Sequence, residues 1–435
     1  MAQKMKDSGI EWIGEIPTDF SLYKLKYLLS SPLCYGANES GTLYSDILPR
    51  YIRITDISPN GTLKNSGMLS LDESSAQNYM LHEGDILFAR SGATVGKSFI
   101  YHNYYGRAAY AGYLIKASFN RLVLPEFVYY YTCSSAYEIW KNSIFIQSTI
   151  QNIGADRYSN LPISVPNSID KQLRIVRYLN NFCSKFDAII YNLQTSIEDY
   201  KKLKQAVITQ AVTKGVRGER EMKDSGVEWI GEIPKEWGRT KIKMIASFFN
   251  GDRTSRYPQP SDFVDSGVAF LTSRNIDSDE VDLSETKYIT DDKYKSLSGA
   301  KIQIDDIIFC LRGSVGKCAI NRTLSCGTVA SSLATIRPKD IYPKYLLYFL
   351  LSNIASTQTT IFMNGTCAAN LSAENVGNYY ITLPNAAEQK EIADHLDAKC
   401  AEIDKLIAKK EQLVKELESY KKSLIYEVVT GKREV

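Results

Sequence analysis

Met5 to Pro17 reads MKDSGIEWIGEIP, and Met222 to Pro234 reads MKDSGVEWIGEIP, so that Ile10 against Val227 is the one difference. A near-copy at an offset of 217 (Met5 to Met222) means that the chain folds as two related halves rather than as one continuous architecture. The same offset returns far downstream, where Gln172, Ile175, Leu179 and Asp187 match Gln389, Ile392, Leu396 and Asp404. Between these anchors the halves agree only in short stretches. Gly84 to Lys97 reads GDILFARSGATVGK, and Asp305 to Lys317 reads DDIIFCLRGSVGK, one residue shorter. Asn152 to Pro166 (NIGADRYSNLPISVP) parallels Asn370 to Pro384 (NLSAENVGNYYITLP) at an offset of 218.

Each half therefore divides into a variable body and a regular tail, with bodies at 1–167 and 218–384 and tails at 168–217 and 385–435. The bodies mix short apolar runs with Gly, Pro, Asn and Ser punctuation, which predicts an α+β domain in each. Asp85 to Ala89 and Asp306 to Cys310 read as buried strands, and Glu126 to Trp140 and Pro343 to Ala355 as apolar helices. In the first tail Leu179, Phe182, Phe186, Ile189, Leu193, Ser196, Tyr200, Leu203 and Val207 step by three and four. The second tail keeps the same rhythm through Leu396, Lys399, Ile403, Leu406, Lys410, Leu413, Leu417, Tyr420 and Leu424. That is a heptad seam with no internal Gly or Pro, and Gly215 and Gly431 stand where helix stops belong. At 1.5 Å per residue, about forty residues give rods roughly 60 Å long. A second row (Cys183, Ile190 and Ile197; Cys400, Ile407 and Val414) makes the stripe wider than one partner helix needs. Something else should pack there, either the protein's own bodies or another subunit. Lys399 and Lys410 in the seam either fix register or snorkel at its edge.

Composition limits what such an assembly can do. With 435 residues at 44% apolar there is material for two or three cores, and 23% charged residues with a net charge of +3 speak against wholesale disorder. A balance this mild neither requires nor excludes nucleic acid. The 29 tyrosines suit either wet recognition surfaces or strand interiors. Eight cysteines without a CxxC pair, and three histidines, argue against a metal centre. The polar N-terminal segment is unlike a secretory signal, and no apolar run reaches membrane-spanning length, so reduced thiols in a cytoplasm are expected.

Duplex DNA has local two-fold symmetry, so a chain with internal two-fold pseudo-symmetry can present two reading heads to opposed half-sites. Near-copied scaffold with divergent bodies implies heads that read different words. At this point the residues resemble a family. The order of body, long helix, body, long helix is similar to that of Type I restriction–modification specificity subunits. So are the openings SGIEWIGEIP and SGVEWIGEIP, the DIL and DII strands running to a glycine turn ending in GK, the helix openings KQLRIVRYL and EQKEIADHL, and the endings ITQAVTKG and IYEVVTGK. The resemblance covers essentially the whole chain. It implies two globular target-recognition domains separated by two long helices packed as an antiparallel coiled coil. Each domain would read half of a bipartite, asymmetric site in double-stranded DNA, with the helices setting the spacer. It further implies two methyltransferase subunits carrying S-adenosylmethionine, two motor-nuclease subunits using ATP and Mg, and no cofactor or catalytic residue on this chain. The coil interface would run through Leu179, Phe186, Leu193, Tyr200, Leu396, Ile403, Leu417 and Tyr420.

Gly92 to Ser98, GATVGKS, tempts a phosphate-loop reading, but that loop needs four residues between its first Gly and GK. Here there are three, the second copy has two, and that copy puts Cys318 where the magnesium-binding hydroxyl belongs. As a DNA element the turn delivers Arg90, Ser91 and Lys97, or Arg312, Ser314 and Lys317; the alternative is a hairpin with ordinary surface cations. A second candidate set is Arg53, Thr55 and Asp56 against Ser273, Arg274 and Asn275, for which loop capping is the alternative and the more ordinary role. A third is Gln147, Ser148, Gln151 and Asn152 against Asn364, Thr366, Asn370 and Ser372, whose amides suit adenine edges or helix caps. Arg253 and Arg256 add a cationic loop in the second body only. Neither a Gly-rich methyltransferase loop nor an Asn- or Asp-Pro-Pro-aromatic run is visible. Two rival readings are an enzyme with unfamiliar motifs, which predicts cofactor binding by the isolated chain, and an assembly adaptor indifferent to DNA.

Overall fold

The computed structural model describes residues 4–58, 61–92, 94–146, 152–277, 279–363 and 371–435. The chain forms two compact units, Met1–Leu193 with Gln412–Val435, and Gln194–Glu411. Each unit holds one variable body and a stretch of both long helices.

The first unit opens on the repeated motif. Met5–Asp7 and Glu15–Pro17 pair antiparallel, and the Asp7 carboxylate accepts from the Gly9 N–H at 2.9 Å to shape the turn. The body's first and last strands, Phe20–Lys24 and Pro162–Pro166, then pair antiparallel and close it. Between them lie two four-stranded sheets. One runs Cys34–Tyr35, Leu114–Ala117, Ile86–Ala89, Ser98–Ile100; the other Ala108–Tyr110, Arg50–Ile52, Leu69–Ser70, Thr42–Leu43. The second unit repeats this order. Gly238–Lys241 pairs with Tyr380–Leu383, one sheet runs Ala246–Asn250, Leu333–Pro338, Ile307–Cys310, Cys318–Ile320, and the other runs Gly327–Val329, Val268–Leu271, Lys287–Ile289, Phe263–Val264. Even the single parallel pairing in the second sheet recurs, between Arg50–Ile52 and Ala108–Tyr110 and between Val268–Leu271 and Gly327–Val329.

The expected apolar helix in each body is two helices. Pro125–Thr132 is followed by Ser135–Ile146, and Pro343–Leu351 by Asn353–Met363. The break falls on a buried serine in both. Ser134 Oγ donates to the Tyr131 carbonyl at 2.7 Å, and Ser352 Oγ to the Phe349 carbonyl at 2.6 Å. A hydroxyl that competes for the helix's own acceptors ends one helix and opens the next. Apolar periodicity cannot register this, because both segments keep an inward face.

The two long helices span Ile169–Lys214 and Ala386–Val429, and Gly215 (φ 78) and Gly431 (φ 73) take the left-handed conformation just beyond them. Within each unit the helix segments run antiparallel. In the first, Lys421 pairs with Asp187 at 2.6 Å, while Ile175, Val176 and Leu179 share a core with Leu424, Ile425, Val428 and Val429. In the second, Lys204 pairs with Asp404 at 2.8 Å, and Ile208 and Val212 share a core with Ile392 and Leu396. The repeated hairpin serves the helix that ends against it. Tyr426 and Lys432 donate to the Ile13 carbonyl at 3.1 and 2.7 Å, and Val227, Ile230 and Ile233 bury against Ile208, Ala211 and Val212.

The helix starts are pinned by the copied glutamines. Gln172 donates to the Leu122 and Pro166 carbonyls at 3.0 and 2.9 Å and accepts from the Leu124 N–H at 2.8 Å. Gln389 likewise donates to the Pro384 carbonyl at 2.9 Å and accepts from the Tyr342 N–H at 2.8 Å. A buried amide that satisfies backbone groups on the body costs stability if shortened, which explains why an otherwise unremarked glutamine occupies both places.

Candidate nucleic-acid interface

The glycine turns are hairpins. Phe88 pairs with Ser98 across the first and Phe309 with Cys318 across the second, with left-handed glycines at both ends of each turn (Gly92 and Gly96; Gly313 and Gly316). A strand follows each turn, Ser98–Ile100 and Cys318–Ile320, where a phosphate loop would lead into a helix whose amides meet the phosphate. Ser98 Oγ lies 2.6 Å from Thr132 Oγ1 on a helix, and Cys318 is buried, its thiol pKa raised by that burial.

Backbone hydrogen bonds put the two bodies in register at this turn. The Arg90 N–H donates to the Tyr113 carbonyl at 2.9 Å, and the Arg90 carbonyl accepts from the Ile153 N–H at 2.9 Å. In the second body the Leu311 N–H donates to the Ser332 carbonyl at 2.9 Å, and the Leu311 carbonyl accepts from the Leu371 N–H at 3.0 Å. Leu311, fully buried, therefore occupies the place of Arg90, and Arg312 stands one residue further on, exposed and level with Ser91. Spacing alone had set Arg90 beside Arg312.

Around Arg90 the first body gathers a cluster. Its guanidinium carbon lies 5.0 Å from the centre of the Tyr35 ring, and its Nε donates to Asn152 Oδ1 at 3.4 Å. Ser91 bridges Asn152 through the backbone, the Tyr35 hydroxyl accepts from the Ala155 N–H at 3.0 Å, and Tyr113 is 64% exposed beside them. Tyr35 and Tyr113 were not among the sequence candidates. The signal that could have found Tyr35 is the residue before a shared glycine, Tyr35–Gly36 against Asn250–Gly251. A Cβ on Gly36 would come within 2.3 Å of the Tyr110 carbonyl oxygen, and one on Gly251 within 2.2 Å of the Ala330 carbonyl oxygen. Only glycine lets the strands approach this closely, so the preceding side chain is delivered to the same spot in both bodies.

The second body carries a different surface on that frame. Asp252 follows Gly251, buried and bonded by the Thr254 N–H and hydroxyl and by the Ser298 N–H and hydroxyl. Burial opposes its ionisation, but the hydrogen bonds prevail and hold the carboxyl well below its usual range. This fixes the loop bearing Arg253 and Arg256, both exposed, with Arg253 Nε donating to the Ser331 carbonyl at 3.3 Å. Lys317 pairs with Asp277 at 2.7 Å, whereas Lys97 is exposed with no ion pair among the described residues.

The second candidate set divides by role. Arg53 spends its fork on Asp56 (2.8 and 3.1 Å) and on the Gly67 carbonyl at 2.7 Å, and the Arg53 N–H donates to the Asp56 carboxylate at 2.8 Å. In the second body the Thr272 N–H donates to Asn275 Oδ1 at 2.8 Å, and Asn275 donates to the Asp282 carbonyl at 2.8 Å. Asp56 and Asn275 thus cap equivalent turns, and Thr55 and Arg274 occupy equivalent exposed positions, with Arg274 only 3.8 Å from Glu285. Ser273 is half-buried within its turn, and Ser314 is exposed. Ser372 caps a short helix through the Asn375 N–H at 3.0 Å. Gln147, Ser148, Gln151, Asn364, Thr366 and Asn370 lie outside the described residues.

Along the helices, Leu179, Leu396 and Ile403 are buried, but Leu193, Tyr200 and Leu417 are half-buried and Tyr420 is 54% exposed, its ring 5.6 Å from Phe186. The flanking row is drier, with Cys183, Ile190, Ile197, Cys400 and Val414 all buried. Lys410 lies over the Tyr200 ring at 5.5 Å, and Lys399 is exposed beside Glu402. Apolar side chains remain uncovered on the helices, with Ile189, Tyr191, Leu203 and Leu413 each more than 40% exposed.

Comparison with known proteins bears on this arrangement. The Type I restriction modification DNA specificity domain matches at residues 44–199 and 234–416. The chain is 23% identical over 360 residues to the Type I restriction enzyme MjaVIII specificity subunit of Methanocaldococcus jannaschii, covering 81% of this chain and 80% of that protein. It is 23% identical over 266 residues to the Type I restriction enzyme EcoBI specificity subunit of Escherichia coli, covering 59% of this chain and 55% of that protein. Among solved structures, one described as showing the structural basis of complex assembly and conformational transition of the type I R-M system superposes with a TM-score of 0.69 at 15% identity, over 96% of this chain and 99% of that one.

Proposed function

Because the chain belongs to the Type I restriction–modification DNA specificity family, we propose that its heads, residues 1–167 and 218–384, read the two halves of one bipartite DNA site through the turns and loops described above. As a member of that family it is a DNA-recognition subunit without catalysis of its own. The observation that carries the reading is one backbone frame built twice with different exposed chemistry, since a frame that repeats while its contact residues differ suits two unlike half-sites.

Arg90, Ser91 and Lys97 on the first turn, with Thr55, face DNA in this reading. On the second head Arg253, Ser273, Arg274, Arg312, Ser314 and Lys317 do so. Arg53 and Asn152 act by holding their neighbours. The helices, at 168–217 and 385–435, set the spacer. Their uncovered apolar side chains suit two methyltransferase subunits, which bring S-adenosylmethionine, and two motor-nuclease subunits join with ATP and Mg. No helix among the described residues is long and apolar enough to cross a membrane. The cytoplasm, where host DNA and these partners lie, is the compartment we assign.

The test is a genome-wide methylation map of the native host with and without this gene. A bipartite adenine-methylated motif that disappears on deletion is expected. Grafting a different body between Pro17 and Pro166 should then change one half-site and spare the other. If a complex reconstituted with methyltransferase binds no site specifically, the reading is wrong.

A further inference from the structure

We propose that Arg90 reads a guanine in the half-site met by the first head, that Tyr35 and Asn152 are its positioning residues, and that the second head does not make this contact from the equivalent strand. The inference rests on the functional reading above and goes beyond it by naming one residue and one base.

Arg90 is restrained from four directions. Its backbone is held on both sides by Tyr113 and Ile153, each at 2.9 Å. Its guanidinium lies over the Tyr35 ring, and its Nε is engaged by Asn152. Tyr35 is itself tied down by the Ala155 N–H. Among the described residues, no acceptor meets the two terminal nitrogens of Arg90. Arg53 and Arg337 differ on that point, while Arg253, engaged through Nε by the Ser331 carbonyl, has no aromatic ring beneath it among the described residues. Arg53 spends Nε and Nη2 on Asp56, and Arg337 spends the same pair on Asp306.

A planar cation stacked on an aromatic, with its inner nitrogen occupied and its outer pair free, is a fork with its orientation already set. Guanine presents two acceptors, O6 and N7, along its major-groove edge, and arginine matches that pair in a way no other base edge allows. A phosphate contact needs no such fixing, because phosphates locate a protein without carrying sequence. Asn152 could read adenine only with its carbonyl oxygen free, and that oxygen holds Arg90 instead. In the second head Leu311, fully buried, fills the Arg90 position, and Asn250 fills that of Tyr35, so neither fork nor stack is present there.

The experiment uses the full chain assembled with its methyltransferase subunit. Once methylation mapping has supplied the motif, binding is measured on duplexes carrying every single base-pair substitution. The expected result is a G·C pair in one half-site whose replacement weakens wild-type binding roughly ten- to a hundredfold. Arg90→Ala should erase that preference and leave every preference in the other half-site intact. Arg90→Lys should erase it as well while keeping the salt dependence, since an ammonium cannot fork. Tyr35→Leu should loosen the same position, and Tyr35→Phe, which keeps the ring, should restore it. Unchanged reading of the other half-site and recovery of the complex report folding. If Arg90→Ala does not yield complex, Arg90→Lys decides alone. A uniform loss over all duplexes with a shallower salt slope would make Arg90 a phosphate contact and overturn the proposal. So would a response at a pair other than G·C, or no response in a complex that still binds its site. A wild-type complex without site-specific binding would instead overturn the functional reading from which the inference starts.

Discussion

At the strand that leads into each glycine turn, both heads begin with a buried aspartate and then part company. Asp85 is held by the Ser118 hydroxyl at 2.6 Å and the His82 N–H at 2.9 Å. Asp306 accepts two bonds from Arg337, both at 2.8 Å, and one from the Gln303 N–H at 2.8 Å. Ser118 and Arg337 occupy equivalent places on the neighbouring strand, so the frame keeps the acceptor and changes the donor. The same pattern recurs outward. Ala37 in the first head corresponds to Asp252 in the second, Arg90 to Leu311, and Thr55 to Arg274. What stays fixed is backbone geometry and its supports, and what varies is charge. A fold used in this way can acquire a new surface without a new scaffold, provided each inserted charge finds a partner. In the second head Asp252 and Asp306 have each found theirs.

That proviso can be broken most severely at Asp306. Removing one member of a buried, hydrogen-bonded pair leaves the other uncompensated and costs about 3–5 kcal/mol. A quarter of the Arg337 side chain is exposed, so Asp306→Ala should destabilise the second unit by the lower end of that range, about 3 kcal/mol. Asp85→Ala, which strands a hydroxyl, an amide and a lysine ammonium 3.8 Å away (Lys116) instead of a doubly bonded arginine, should cost the first unit about 1–3 kcal/mol. Hydrogen exchange on the two variants, read unit by unit, checks this. Equal losses, or losses spread evenly over both units, would mean that the two aspartates are interchangeable after all.

The next largest effect depends on pH and belongs to the second head alone. The Asp252 carboxyl is held below its unfolded value near 3.9. A depressed acid contributes stability that is present above the unfolded pKa and is lost as the pH falls through the folded one. Asp252→Asn, which weakens hydrogen bonds to a charged acceptor, should cost about 1–2 kcal/mol near pH 7. The gap between wild type and variant should begin to narrow below about pH 4 and keep narrowing as the pH falls toward the depressed folded value. Ala37, at the equivalent position of the first head, does not titrate. Chemical denaturation from pH 3 to pH 8 supplies the test, and a gap that persists unchanged in acid would show that Asp252 acts by packing rather than charge.

Much of the comparison could be read in the residues, and the part that could not has a physical cause. The repeat at Met5 and Met222, the three-and-four rhythm, and the glycines at 215 and 431 mark both long helices, because those signals are local and periodic. The DIL and DII strands were legible for the same reason. The serine breaks at Ser134 and Ser352 were hidden inside apolar periodicity. The drier row of each helix, Cys183 and Ile190 rather than Phe186 and Leu193, depends on which side the body covers, and heptad spacing is silent on that. Arg90 and Arg312 looked equivalent because the shorter turn lets a spacing argument slide by one residue. Only the hydrogen bonds from Ile153 and Leu371 fix the register. For Asp56, Asn275 and Asn152 the sequence leaves base reading and capping both open, because the residue types that read bases also cap turns and hold neighbours, and only geometry shows which hydrogen bonds each one makes.

The smallest effect sharpens the comparison at the far side of the turn. Lys97 stands free of ion pairs among the described residues, whereas Lys317 is held by Asp277, whose hydrogen bond raises the Lys317 pKa. An exposed pair of this kind adds little to folding, so Asp277→Ala should leave the unfolding midpoint of the chain unchanged. Its effect should appear on DNA instead. With the acid gone, Lys317 can neutralise a phosphate, and the salt dependence of binding by the assembled complex should steepen by up to about one unit of slope. Lys97→Ala should do the reverse at the first head, making the slope shallower by about one. Both changes should act alike on every DNA sequence, since a lysine at a phosphate carries position and not identity. Titrations at several salt concentrations distinguish the outcomes. If Asp277→Ala leaves the slope untouched while Lys97→Ala lowers it, only the first turn meets the backbone, and the two heads then differ in how they sit on DNA as well as in what they read.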